Sequence, residues 1–130
     1  MTTKQGLQLI AKDLIAYEIP DISLDASLDD ALKLMEENKC SHLAVVADGT
    51  YQGIISENQI LELENHSEKI NKAFSQLLKP AVRSNAHIYQ VISIVHEFNV
   101  TCIPVLDAEE KYLGVISLQN LALNFAKITN

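Results

Sequence analysis

The line "GIISENQIL" (Gly53 to Leu61) returns as "GVISLQNLA" (Gly114 to Ala122), and this echo constrains the fold more than any other feature of the chain. Each copy runs glycine, two branched aliphatics, serine, two variable residues, an amide and an aliphatic. The echo extends upstream: "PDISLDASLDDALKLM" (Pro20 to Met35) matches "PAVRSNAHIYQVISIV" (Pro80 to Val95) 60 residues later. Leu28, Ala31, Leu32 and Met35 fall on Ile88, Val91, Ile92 and Val95. That i, i+3, i+4, i+7 spacing is one buried helical face. Ser27 and Asp30 form a capping box at the first helix start, with Asp29 complementing the dipole; His87 stands at the Ser27 position as a weaker cap.

After each helix comes a short aliphatic run, "HLAVVA" or "CIPVLD". A turn then leads back into "YQGII" or "YLGVI", a β-hairpin pattern. Each unit therefore predicts a short strand, a helix, a hairpin, and a second helix beginning near Ser56 or Ser117. Two stretches lie outside the units. Residues 4–17, with Leu7, Ile10, Ala11, Leu14 and Ile15, predict an amphipathic helix. Residues 67–78, with Ile70, Phe74, Leu77 and Leu78, predict another that stops before Pro80. The expected organisation is an N-terminal helix over 1–17, a first repeat over 18–66, a connecting helix over 67–79 and a second repeat over 80–130. A unit of roughly 60 residues buries little core alone, so the two copies are expected to pack face to face.

Composition narrows the function. The formal charge is −7, from 17 acids against 10 bases, and Arg83 is the only arginine. Nucleic-acid backbones require clustered Lys and Arg, so no nucleic-acid role is expected. No apolar run approaches the ~20 residues that span a bilayer, and the N-terminus lacks the pattern of a secretory signal. Cys40 and Cys102 form no C-x-x-C and no disulfide framework. The expectation is a cytoplasmic protein without a membrane partner, its thiols reduced and acting as small buried hydrophobes. His42, His66, His87 and His96 show neither H-x-x-x-H spacing nor a neighbouring cysteine pair, so structural roles are expected and no metal. No Ser-His-Asp grouping, P-loop or catalytic carboxylate pair stands out, so an enzyme is not expected.

Pro20-x-Ile22 and Pro80-x-Val82, the paired helix faces, "LAVVA" and "IPVLD", and the two Gly-aliphatic-aliphatic-Ser lines together carry a resemblance. In register, over about residues 13–126, they resemble a tandem pair of cystathionine-β-synthase (CBS) domains, the Bateman module. The resemblance implies an α+β fold: two β-α-β-β-α repeats packed about a pseudo-twofold axis into one disc-like module, usually paired again as a homodimer. It implies an adenosine nucleotide (AMP, ADP or ATP) in the cleft between the repeats, with no cofactor. It also implies a site. Backbone near Ile22 and Val82, at Leu43 after His42, and at Ile103 and Pro104 after Cys102 would read the adenine edge while aliphatic side chains sandwich the ring. Ser56 and Ser117 would bond phosphate or ribose where a helix begins and free N–H groups favour an anion.

Three residues after each serine the family places an aspartate that accepts both ribose hydroxyls. Here those positions hold Gln59 and Asn120. Exchanging a charged acceptor worth ~1.5–3 kcal/mol for a neutral one worth ~0.5–1.5 would weaken ribose binding about tenfold. Ala44 stands where the second copy keeps Pro104, so the second copy is closer to the pattern and its site is expected first. Each residue also has a plainer reading. Ser117 with Asn120, and Ser56 with Gln59, are helix starts. Arg83 suits either a phosphate or a neighbouring acid. Lys79, His42 and His87 suit solvent or capping. Leu61 and Leu63, with Leu121, Leu123 and Phe125, are core, or a dimer surface if exposed. Because the repeats occupy nearly the whole chain, an effector protein is expected in trans. The alternative is a degenerate pair that binds no nucleotide and serves as a dimerisation or docking scaffold.

Overall fold

The computed structural model describes residues 9–129, with side chains described as far as Leu123. Contacts divide the chain into two compact units, Ile19–Lys79 and the chain from Pro80 onward joined to the segment ending at Glu18. Each unit carries a three-stranded mixed sheet.

In the Ile19–Lys79 unit, β1 (Ile22–Ser23) pairs in parallel with β2 (His42–Ala47), which pairs antiparallel with β3 (Thr50–Ser56). Between β1 and β2 runs α1 (Leu28–Asn38), and α2 (Glu57–Leu61) follows β3. The expected capping box is present: Asp30 N–H donates to Ser27 Oγ at 3.1 Å. Leu28, Ala31 and Met35 are buried and join Ile22, Leu43, Val45, Ile55, Ile60 and Ile70 in one core. Asp48 and Gly49, both at positive φ, close the two-residue hairpin as a primed turn requires.

The second unit repeats the plan. Strand β4 (Val82–Arg83) is parallel to β5 (Cys102–Leu106), and β5 is antiparallel to β6 (Tyr112–Ser117). Helix α4 (Ile88–Phe98) lies between β4 and β5, and α5 (Leu118–Thr129) follows β6. His87 does cap α4, through Nδ1 accepting from Tyr89 N–H at 3.2 Å. Even the irregularities recur: each hairpin has a register shift, at Val45/Val46 and at Val105/Leu106.

The two flanking stretches differ from expectation. Within the described part of residues 4–17 there is only a 3₁₀ turn, Ala11–Leu14, with Leu7 outside the described residues. The 67–78 stretch holds a single α turn, α3 (Ile70–Ala73). The reason is where the backbone bonds go. In the first unit Leu28 N–H donates to Glu68 O, Ile70 N–H to Ala26 O, Asn71 N–H to Leu24 O and Ile54 N–H to Leu78 O. In the second, Ile88 N–H donates to Leu9 O, Ala11 N–H to Ala86 O, Lys12 N–H to Ser84 O and Ala16 N–H to Val115 O. Groups bonded to the neighbouring repeat cannot also close a helical ladder. Both stretches are straps, each laid across one repeat. The N-terminal strap crosses the second repeat, not the first that follows it in sequence.

Candidate functional site

The second repeat assembles its expected residues at two ends of one sheet. Cys102 lies opposite Ser117 in the β5–β6 register, with Ile103 against Ile116 and Pro104 against Val115. Val82 instead pairs with Val105, and Arg83 with Leu106. Arg83's partner Leu106 lies four positions along β5 from Cys102, about 13 Å at a strand's rise, so the register sets Arg83 apart from Ser117. The guanidinium of Arg83 is held where it stands. Its Nη1 donates to the Asp107 carbonyl at 2.7 Å and its Nη2 pairs with Glu110 at 3.1 Å. Glu110 sits at positive φ in the turn, and Asp107 Oδ1 ties that turn by accepting from Glu109 and Lys111 N–H.

Between β4 and α4 opens a depression of about 570 Å³, with Val82, Arg83 and Ala86 on one side and Gln90, Ser93 and Ile94 on the other. Asn85 also lines it, and neither Asn85 nor the α4 residues Gln90 and Ser93 stood out in the sequence. For Gln90 and Ser93 the signal is the helix period, since they lie on the flank of α4 opposite its core stripe, while Asn85 lies in the loop before it. The aliphatic candidates Ile103 and Leu43 are fully buried, and Val82, Ile22 and Cys102 nearly so, as parts of their own cores.

Ser117 ends β6 and begins α5, its Oγ accepting from Asn120 N–H at 3.0 Å. Ser117 Oγ has no acceptor for its own proton among the described residues. Asn120 reaches elsewhere as well: its Nδ2 donates at 3.0 Å to the carbonyl of Leu14, in the strap. In the first repeat the equivalent serine is closed in both directions. Ser56 Oγ accepts from Gln59 N–H and donates to Gln59 Oε1, each at 3.1 Å. Gln59 Oε1 also accepts from Ser56 N–H at 3.0 Å. Gln59 is thus the return half of a capping box. Ile22 pairs with Val45 and Leu43 with Ile55, so the first-repeat candidates are likewise spread along the sheet.

Other candidates have local roles. Lys79 Nζ stands 5.9 Å from the Tyr51 ring centroid, a cation–π contact. His42 Nδ1 lies 3.1 Å from Ser41 Oγ, and burial holds the imidazole below its ordinary pKa. Burial pushes the Cys40 thiol up, against a smaller pull from the His42 backbone. Leu121 is core, Leu61 and Leu123 are exposed, and Phe125 lies outside the described side chains. Among the described residues no cluster of three His, Cys, Asp or Glu side chains could hold a metal. No helix there is long and apolar enough to cross a membrane.

Comparison with known proteins matches this arrangement to one family. The model of the CBS domain matches residues 11–66 and again 78–127. A relative, the homoserine O-acetyltransferase of Methanosarcina acetivorans, is 24% identical over 122 residues; the match covers 92% of this chain and 22% of that protein's length. Among solved structures, a CBS domain pair/ACT domain protein from Thermotoga maritima is similar with a TM-score of 0.79 at 20% identity, covering 94% of this chain and all of that one. CBSX2, solved in complex with AMP, gives a TM-score of 0.72 at 23% identity, with 93% and 98% of the two chains covered.

Proposed function

The chain belongs to the CBS domain family, as two copies in tandem, and from that premise we propose that it is a regulatory module that binds an adenosine nucleotide and modulates a partner protein in trans. CBS domain pairs are regulatory modules rather than catalytic ones. The nucleotide, AMP, ADP or ATP, binds the second repeat in preference to the first. The observation that carries this preference is the contrast between the serines. Ser117 keeps an O–H to donate at the start of a 12-residue helix, whereas Ser56 has both hydroxyl roles filled by Gln59. A phosphate oxygen placed there accepts from the hydroxyl and sits in the favourable end of the helix dipole. The AMP bound to CBSX2, a protein of similar fold, supports the choice of nucleotide. The module acts as a homodimer, for which the exposed Leu61, Leu118 and Leu123 offer apolar surface.

A second reading has its own observation. The amide of Asn120 is engaged by Leu14 and that of Gln59 by Ser56, which suits a pair that has given up ribose binding and serves as a scaffold. A thermal-shift series with AMP, ADP and ATP separates the two. A ligand at 100 times its dissociation constant stabilises by about 2.7 kcal/mol, and Ser117→Ala should remove much of that shift. Silence from all three nucleotides at millimolar concentration gives the scaffold reading the lead.

A further inference from the structure

The N-terminal strap crosses the second repeat at the two places where its candidate ligand groups stand. On one side Lys12 N–H donates to Ser84 O at 3.0 Å and Ala11 N–H to Ala86 O at 2.8 Å, in the loop that borders the β4–α4 depression. On the other Ala16 N–H donates to Val115 O at 2.8 Å, and Ile15 packs over Gly114. Between these anchors, Asn120 Nδ2 holds the Leu14 carbonyl at 3.0 Å, while Leu14 and Ala11 are fully buried beneath the strap. Asn120 thus ties the strap backbone to the repeat through a side chain. In the first repeat the equivalent amide does not reach the strap: Gln59 bonds Ser56, and that strap is held by backbone bonds and by Asn71 Nδ2 donating to Asp25 Oδ1 at 3.1 Å.

We infer that Asn120 is a latch: it holds the N-terminal strap closed across the second repeat, and a nucleotide that engages Asn120 beside Ser117 competes with the Leu14 carbonyl and releases the strap. The inference rests on the nucleotide reading of this site. The competition is chemical. The nucleotide displaces Leu14 where it turns the whole carboxamide, so that the nitrogen faces a ribose or phosphate oxygen beside Ser117 and swings away from the strap carbonyl. The Ala11 and Lys12 bonds anchor the leading half of the strap, so release loosens it from Leu14 onward, the Ala16 bond to Val115 included.

Amide hydrogen exchange on the full chain tests this, with a thermal-shift series run in parallel. Asn120→Ala without nucleotide should speed exchange of Ala16 and its strap neighbours about fivefold, the factor set by one net hydrogen bond. Gln59→Ala should leave those amides unchanged. AMP added to the wild-type chain should raise its melting temperature and speed the same strap amides, while slowing those at the start of α5. Unchanged strap exchange in Asn120→Ala overturns the latch whatever AMP does. A melting-temperature rise with AMP but an unmoved or slowed strap overturns the competition and leaves the nucleotide reading intact. If AMP, ADP and ATP shift neither the wild type nor Asn120→Ala, the nucleotide reading falls and the release step with it.

Discussion

Gly53 and Gly114, the residues that open the echoed line, each lie under a strap. A Cβ at Gly53 would stand 2.5 Å from Leu77 Cβ and 2.8 Å from the Leu78 carbonyl oxygen, both close to backbone. At Gly114 it would meet the Ile15 side chain, Cγ2 at 2.7 Å and Cβ at 4.0 Å. Both glycines have φ near +148, a region other residues avoid, with +147 and +149 in the two copies. Alanine at either site therefore carries backbone strain of about 1–3 kcal/mol, but only at Gly53 must the main chain itself move. Gly53→Ala should lose about 3–5 kcal/mol and Gly114→Ala about 2; equal losses in urea midpoints would refute the close-approach account. The amides make a second contrast. Asn120→Asp removes the donor to Leu14 and sets a carboxylate against a carbonyl, and should cost about 1–2 kcal/mol without ligand. Gln59→Glu keeps the acceptor that Ser56 N–H requires and should stay within about 0.5 kcal/mol. Denaturant titration of the pair reads both, and a neutral Asn120→Asp would mean the Leu14 contact contributes nothing.

At the scale of elements, α1 and α4 were legible because their determinants are local. The core stripe of α1 and its Ser27–Asp30 cap lie within one stretch of sequence, and α4 repeats the stripe 60 residues on. Their ends repeat too. Lys39 and Asn99 both adopt φ of 52°, and after α1 Cys40 N–H donates to Met35 O while Lys39 N–H donates to Glu36 O, a Schellman closure. A lysine in that left-handed position is strained by about 1 kcal/mol relative to glycine. Lys39→Gly should therefore raise stability by roughly that amount, as a shift in the urea midpoint with unchanged slope. A loss would mean that the Lys39 side chain stabilises in a way the cap geometry does not express. The straps were not legible because their partners are remote. "LIAKDLIA" has helical spacing, yet its N–H groups bond Ser84, Ala86 and Val115, about 70 to 100 residues away. The trace they leave is positional: each strap precedes one of the matched prolines, Pro20 and Pro80. The site was half legible for the same reason. Serine and amide spacing announced the caps at Ser56 and Ser117, but nothing near Asn120 in sequence announces Leu14.

For the molecule as a whole, the straps make the two repeats unequal in sequence although they match in fold. The first repeat and its strap form one continuous stretch, Ile19–Lys79, whereas the second repeat takes its strap from ahead of Ile19. Domains of about 60 residues are marginal even when complete, and losing a strap removes both buried side chains and backbone partners. Without residues 9–16 the second repeat would leave Ser84 O, Ala86 O and Ile88 N–H without their strap partners. It would also uncover the core beneath Ala11, Leu14 and Ile15. A fragment spanning residues 19–79 should thus keep a dispersed amide spectrum, and one spanning 80–130 should collapse toward the random-coil range. Supplying residues 9–18 as a separate peptide should restore dispersion to the 80–130 fragment at concentrations where the 19–79 fragment is unaffected. If the 80–130 fragment folds alone as well as its counterpart, the strap is a surface appendage. Order in the second repeat would then owe nothing to the segment that the latch at Asn120 holds.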